Sequence, residues 1–157
     1  MKFYILNGPN LNLLGIREPT HYGKTSYSDL VSEIEDYCRE RGITAVCRQT
    51  NHEGTLVDWI QEAYFEHADG IVINPGAYTH TSIALLDAVK SVNLPTVEIH
   101  ISKVEEREDF RQVSYIRAAC IQTITGHGTH GYLEAIDALI AYCKPALEKG
   151  ASEPPCE

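Results

Sequence analysis

Glu98 and His100 stand two residues apart in the run Thr96-Val97-Glu98-Ile99-His100-Ile101-Ser102. On a strand that spacing puts both side chains on one face, where a carboxylate can set the tautomer and orientation of an imidazole. General acid–base chemistry needs such a pair. His80 lies in a second polar cluster, Asn74-Pro75-Gly76-Ala77-Tyr78-Thr79-His80-Thr81-Ser82, which follows Ile71-Val72-Ile73. Here Asn74 offers an amide able to hydrogen-bond a developing oxyanion. Gly76 and Ala77 offer backbone N–H groups as a seat for a carboxylate. A third cluster, Asn7-Gly8-Pro9-Asn10-Leu11-Asn12, follows Phe3-Tyr4-Ile5-Leu6 and opens a loop through Gly23 that carries Arg17, Glu18, His21 and Tyr22. That loop is too long for a mere connector and reads as a lid. A free tyrosine, with a pKa of about 10, is a poor base at neutral pH. A nearby guanidinium favours the phenolate, so Arg17 and Tyr22 form a candidate base with its activator. Loop position alone leaves packing and catalysis equally open for them. Arg111, beyond the acidic run that starts at Glu105, supplies a cation for an anionic substrate. A base, an acid, an amide and anion binders together suit proton abstraction beside a carbonyl, then elimination or isomerisation of a small polar carboxylate.

These residues must be held by the elements that precede them. Short β-branched runs bounded by Gly, Pro and Asn read as buried strands. The expected strands are 2–6, 43–48, 70–73, one restarting at Pro95, and 118–125. Between them, helical spacing predicts helices over the stretch from Ser26 or Ser28 to Gly42, over 53–67, over 79–90 with Ile83, Leu86 and Val89 inward, and over 131–147. The segment 105–111 reads as a charged short helix or lid. Alternating β and α segments imply a parallel sheet covered on both faces. Five strands suit a flavodoxin-like, doubly wound α/β/α sheet, with ligands bound beyond the carboxyl ends of the strands at a switch point beside the first strand. A single domain is expected over 1–149, with 150–157 as a loose tail containing Glu153-Pro154-Pro155.

Composition excludes several alternatives. At 43% hydrophobic and 22% charged, the 157-residue chain is an ordinary globular one. A net charge of −9 argues against a nucleic-acid partner. Nothing has the apolar length of a membrane span or the pattern of a signal peptide, which points to a cytoplasmic protein. The five cysteines lack Cys-x-x-Cys spacing and read as four buried thiols plus Cys156 in the tail. Gly126-His127-Gly128-Thr129-His130-Gly131 matches a dinucleotide-binding pattern, but no strand follows it to supply a ribose-binding acid. It reads as a tight strand-to-helix turn. A flavodoxin-like module for a nucleotide or flavin phosphate is disfavoured too, because the first loop lacks the Ser/Thr/Gly density of a phosphate cradle.

The same clusters resemble the type II 3-dehydroquinate dehydratases. The matching segments are Asn7 to Gly15 with Arg17-Glu18-Pro19, Tyr22-Gly23, Asn51-His52-Glu53-Gly54, Asn74 to Ser82, Glu98 to Ser102, Arg107-Glu108 with Phe110-Arg111, and Gly126 to Tyr132. They run in order over roughly residues 1–147. The resemblance implies conversion of 3-dehydroquinate to 3-dehydroshikimate plus water. Tyr22, activated by Arg17, would remove the C2 proton to give an enolate, and His100, supported by Glu98, would protonate the departing hydroxyl. Asn12 would help to hold a water on the enolate. Asn74, His80, Ile101, Ser102 and Arg111 would bind substrate, and Asp87 would reach a neighbouring subunit's site. The resemblance further implies trimers assembled into a homododecamer, with no metal or organic cofactor. Lys103 departs from the pattern, which usually has asparagine there. A lysine beside the site invites a Schiff-base reading, as in the unrelated type I dehydratases, but those are larger barrel enzymes.

Overall fold

A computed structural model of the chain describes residues 1–16 and 24–150. Its strands are β1 (Lys2–Asn7), β2 (Thr44–Gln49), β3 (Gly70–Asn74), β4 (Thr96–His100) and β5 (Gln122–Thr125). The helices are α1 (Tyr27–Arg39), α2 (Glu53–Phe65), α3 (Ile83–Val92) and α4 (His130–Gly150). All strand pairs are parallel, in the order β2-β1-β3-β4-β5. The doubly wound, flavodoxin-like sheet expected from the alternation is therefore present.

The central strands β1 and β3 are buried on both faces, which is why they read as continuous apolar runs rather than alternating ones. Phe3, Ile5, Val72, Val97 and Ile99 face α1 and α4. Tyr4, Leu6, Ile71 and Ile73 face α2 and α3. The sequence of helices therefore changes sides between β1 and β3, and the chain leaves those two neighbouring strands in opposite directions. A crevice opens there, in register with Asn7 and Asn74, which pair across the two strands.

Local chemistry sets the element ends. Ser26 caps α1: its hydroxyl accepts from the Asp29 N–H, and the Asp29 carboxylate accepts from the Ser26 N–H, both at 3.1 Å. This reciprocal pair satisfies two amides that the first turn leaves open. At α3 the expectation of a helix over 79–90 needs correction. Gly76–His80 is a 3-10 turn, and Ser82, whose hydroxyl accepts from the Leu85 N–H, starts the true helix. The inward stripe is accordingly Leu85, Ala88, Val89 and Val92, spaced 3-1-3, while Ile83 is 49% exposed and Leu86 only half-buried. The expected strand 118–125 is shortened as well. Ile116–Ala119 forms a 3-10 turn, and the chain joins the sheet only when Ile121 donates to the Thr96 carbonyl. Two further 3-10 turns, Val104–Glu106 and Asp109–Arg111, make up the charged arm after β4. Cys38 and Cys143 are buried, whereas Cys47 and Cys120 are half-buried, and all four are free thiols. The expected tail beyond Gly150 lies outside the described residues.

Candidate active site

The carboxyl ends of β1, β3 and β4 open into one pocket. Its walls include Asn10 from the first loop, Asn74, Gly76 and His80 from the second, and His100, Ile101 and Ser102 from the third. Arg107 and Arg111 close one side from the charged arm. Three segments separated by about a hundred residues of chain thus share one rim, as a parallel sheet requires.

Glu98 is the electrostatic centre of this rim. Its carboxylate has no solvent exposure and accepts five contacts. His100 Nε2 lies 2.7 Å away, the Thr79 hydroxyl 2.7 Å, the Ser114 hydroxyl 2.6 Å, the Thr123 hydroxyl 3.0 Å and Arg117 Nε 3.4 Å. Burial alone would raise the Glu98 pKa, but the bond and charge of His100, with the Ser114 and Thr79 hydroxyls, outweigh it and hold the group at about 2. Glu98 is thus an acceptor only, so Nε2 of His100 carries a hydrogen and any proton passed to a ligand must leave from Nδ1. The pair lies on one face of β4, as the two-residue spacing implied.

Because Glu98 is depressed in the folded state, its contribution to stability is complete above the ordinary glutamate pKa of about 4.3 and is lost as pH falls towards about 2. Urea unfolding over that range should show wild type losing its advantage over Glu98→Gln as the pH drops. Parallel stability curves for the two proteins would contradict this account of Glu98.

His80 is held differently. Its Nδ1 lies 2.6 Å from the Val113 carbonyl, an acceptor only, so Nδ1 bears the hydrogen and Nε2 is left as an acceptor. Burial lowers the His80 pKa and favours this neutral form, although the Val113 bond opposes it. His80 therefore suits a ligand hydroxyl, whereas His100 suits proton delivery.

The carboxylate seat expected at Gly76 and Ala77 is reduced. Gly76 N–H is already bonded to Asn74 Oδ1 at 3.2 Å, and the segment is a single 3-10 turn rather than the start of a long helix. Arg111 and Arg107 are the stronger anion binders here. Both are half-buried on the pocket wall, and Glu108 lies 2.7 Å from Arg111 Nε and 3.7 Å from Arg107 Nε. Sequence reasoning passed over Arg107 as a candidate; its four-residue spacing from Arg111 was the available signal.

Asn10, not Asn12, stands on the pocket wall, and Asn12 is exposed outside it. The left-handed φ of 68° at Asn10 turns the chain sharply, so the two asparagines point to different surroundings. Asp87 is exposed on α3 and is not among the residues that line the pocket. Arg17 and Tyr22 lie outside the described residues. Lys103 does not line the pocket: its ammonium pairs with Glu106 at 3.0 Å and its stem covers Gly126, where a Cβ would collide with it. The Gly126 to Gly131 turn is accounted for by φ values of 78° and 60° at Gly126 and Gly128, and by Ile99, 2.6 Å from where a Cβ on Gly131 would sit. His127 and His130 both face Glu134, and among the described residues no group of three His, Cys, Asp or Glu side chains is arranged to hold a metal ion.

Known proteins are similar to this chain in sequence and fold. A family model described as "Dehydroquinase class II" matches residues 1–140. A 3-dehydroquinate dehydratase of Clostridium perfringens is 49% identical over 144 residues, covering 92% of this chain and 99% of the relative. One from Rhodopseudomonas palustris is 53% identical, covering 88% of this chain and 91% of its own. The crystal structure of a type II dehydroquinase from Butyrivibrio crossotus superposes with a TM-score of 0.88 at 52% identity, covering 89% of this chain and 97% of that one. With the family model, the fold and nearly the whole length in agreement, this chain belongs to the class II dehydroquinase family.

Proposed function

We propose that this protein is a 3-dehydroquinate dehydratase, a hydro-lyase that eliminates water from 3-dehydroquinate through an enolate to give 3-dehydroshikimate. The observation that carries this reading is the buried Glu98–His100 pair opening onto a pocket walled by Arg107 and Arg111, in a chain of this family. Tyr22, with Arg17 beside it to favour the phenolate, takes the C2 proton. The electron pair forms the enolate and then expels the hydroxyl, which leaves as water with a proton from His100 Nδ1. Asn74, His80, Ser102, the Ile101 backbone and Arg111 hold the substrate, with Arg107 as a second cation for its carboxylate. No resident metal or cofactor is assigned.

The enolate water is assigned to Asn10, whose place on the wall supports it over Asn12. Asn10→Gly, which tolerates the left-handed backbone without strain, should lower kcat/KM at least ~10-fold, on the scale of a positioned hydrogen bond. Asn12→Ala should change it less than about 3-fold. Steady-state rates with the reverse ranking would return the role to Asn12.

Asp87 serves a neighbouring subunit, in trimers assembled into a homododecamer. Its exposure beside the exposed Ile83 on α3 supports this reading. The protein is cytoplasmic, and no helix among the described residues is long and apolar enough to cross a membrane. Residues 1–149 act as one catalytic domain and 150–157 as a tail. The direct test mixes purified protein with 3-dehydroquinate and follows the enone absorbance of the product. No signal at high enzyme concentration would overturn the activity, and borohydride inactivation dependent on substrate would replace Tyr22 and His100 with a Schiff base on Lys103.

A further inference from the structure

The Gly126 to Gly131 turn ends on a residue with a place in the pocket's foundation. Tyr132, in the first turn of α4, has no solvent exposure, and its hydroxyl lies between the side chains of Asn7 and Asn74. Those two asparagines end the neighbouring strands β1 and β3 in register and are themselves 1% and 3% exposed. Asn74 is also a wall of the pocket, whereas Asn7 and Tyr132 are not among its lining residues.

The hydrogen bonds here can run in one direction only. A backbone N–H donates and never accepts, so the Asn74 atom facing Gly76 N at 3.2 Å must be Oδ1. Asn74 Nδ2 is then turned to Tyr132, donating to the phenol oxygen at 2.9 Å. With that lone pair taken, the phenol directs its single proton to Asn7 Oδ1 at 2.6 Å. Asn7 Nδ2 is left over, with no close hydrogen-bond partner among the described residues. The Tyr27 hydroxyl is the neighbour that Asn7 meets as a looser hydrogen-bond partner, a contact that lowers the Tyr27 pKa against the larger effect of burial. Burial holds the Tyr132 phenol well above its ordinary pKa, so its proton stays in place across the working pH range. An amide turned the other way would set donor against donor at the half-buried Gly76 N–H, an arrangement that costs the hydrogen bond and leaves both groups mismatched.

We propose that Tyr132 is a positioning residue that, together with Gly76 N–H, locks the flip of the Asn74 amide and so decides which of its atoms meets the substrate. The glycine-rich turn thereby acquires a role in specificity: it delivers a phenol to the underside of the switch point. The proposal rests on the dehydratase reading only in taking Asn74 to contact 3-dehydroquinate.

The test is a double-mutant cycle on kcat/KM for 3-dehydroquinate. Tyr132→Phe should lower kcat/KM about tenfold in the wild-type background, the scale of one misdirected hydrogen bond. In the Asn74→Ala background the same substitution should change it less than about twofold, because the amide it steers is gone. A purely packing role predicts equal factors in both backgrounds, and that result would overturn the proposal, as would an unchanged kcat/KM in Tyr132→Phe. Near-normal kcat/KM in Asn74→Ala would remove the Asn74 contact on which both rest, while dehydratase activity in the wild type stays a separate observation. Should Tyr132→Phe fold poorly, Asn7→Ala provides the same cycle from the other end. It keeps the phenol but removes its acceptor, freeing the proton to turn towards Asn74.

Discussion

His100→Ala is expected to cut kcat at least ~100-fold, the usual scale of a positioned acid. The substitution deletes the side chain proposed as proton donor but leaves Glu98 with the Thr79, Ser114 and Thr123 hydroxyls and Arg117, so the buried carboxylate keeps partners and the variant should fold. Glu98→Gln should fall between wild type and His100→Ala, since the amide can still accept from Nε2 and hold the ring in place but no longer carries the carboxylate charge beside it. Steady-state turnover is the measurement. A His100→Ala enzyme within about threefold of wild type would remove His100 from acid catalysis, because losses so small belong to ordinary substitutions near a site.

Tyr22→Phe should lose a comparable factor, at least ~100-fold in kcat, by deleting one oxygen. The two variants separate by a second readout, exchange of deuterium from C2 of the substrate into solvent. Enolate formation needs the base alone, so Tyr22→Phe should lose exchange along with turnover. His100→Ala should retain exchange while losing turnover, because its enolate can only return to substrate. Full exchange in Tyr22→Phe would disprove its assignment as the base. Arg17→Ala should resemble Tyr22→Phe most closely at low pH, where an unassisted phenol is fully protonated.

Legibility differed between levels of structure for physical reasons. The sheet could be read from sequence because buried parallel strands must be apolar on both faces, and because Gly, Pro and Asn at their ends have conformational roles that few residues share. Glu98 and His100 could be paired because strand side chains repeat every two residues, a local rule that needs no partner to operate. The start of α3 was misjudged because Thr79 and His80 fit a helical pattern as well as Ile83 does. Only the Ser82 cap, chosen by the packing of Leu85 and Val89 on the sheet, fixes the phase. The start of β5 differs for a similar reason, since Ala118 to Cys120 is apolar enough for a strand, but Ile116–Ala119 turns in a 3-10 helix.

The sequence by itself determined the doubly wound sheet, the three polar strand ends and the residue types that meet there, because periodicity and turn chemistry act over a few residues. Tertiary structure alone decided which members of each cluster face the pocket. The left-handed turn at Asn10 put it on the wall in place of Asn12, Gly76 gave its N–H to Asn74, Arg107 joined Arg111, and Lys103 folded over Gly126 towards Glu106. Where Lys103 covers Gly126 and Tyr132 meets Asn7 across 125 residues, the outcome depends on a neighbour far away in the chain, and no local pattern encodes such a meeting.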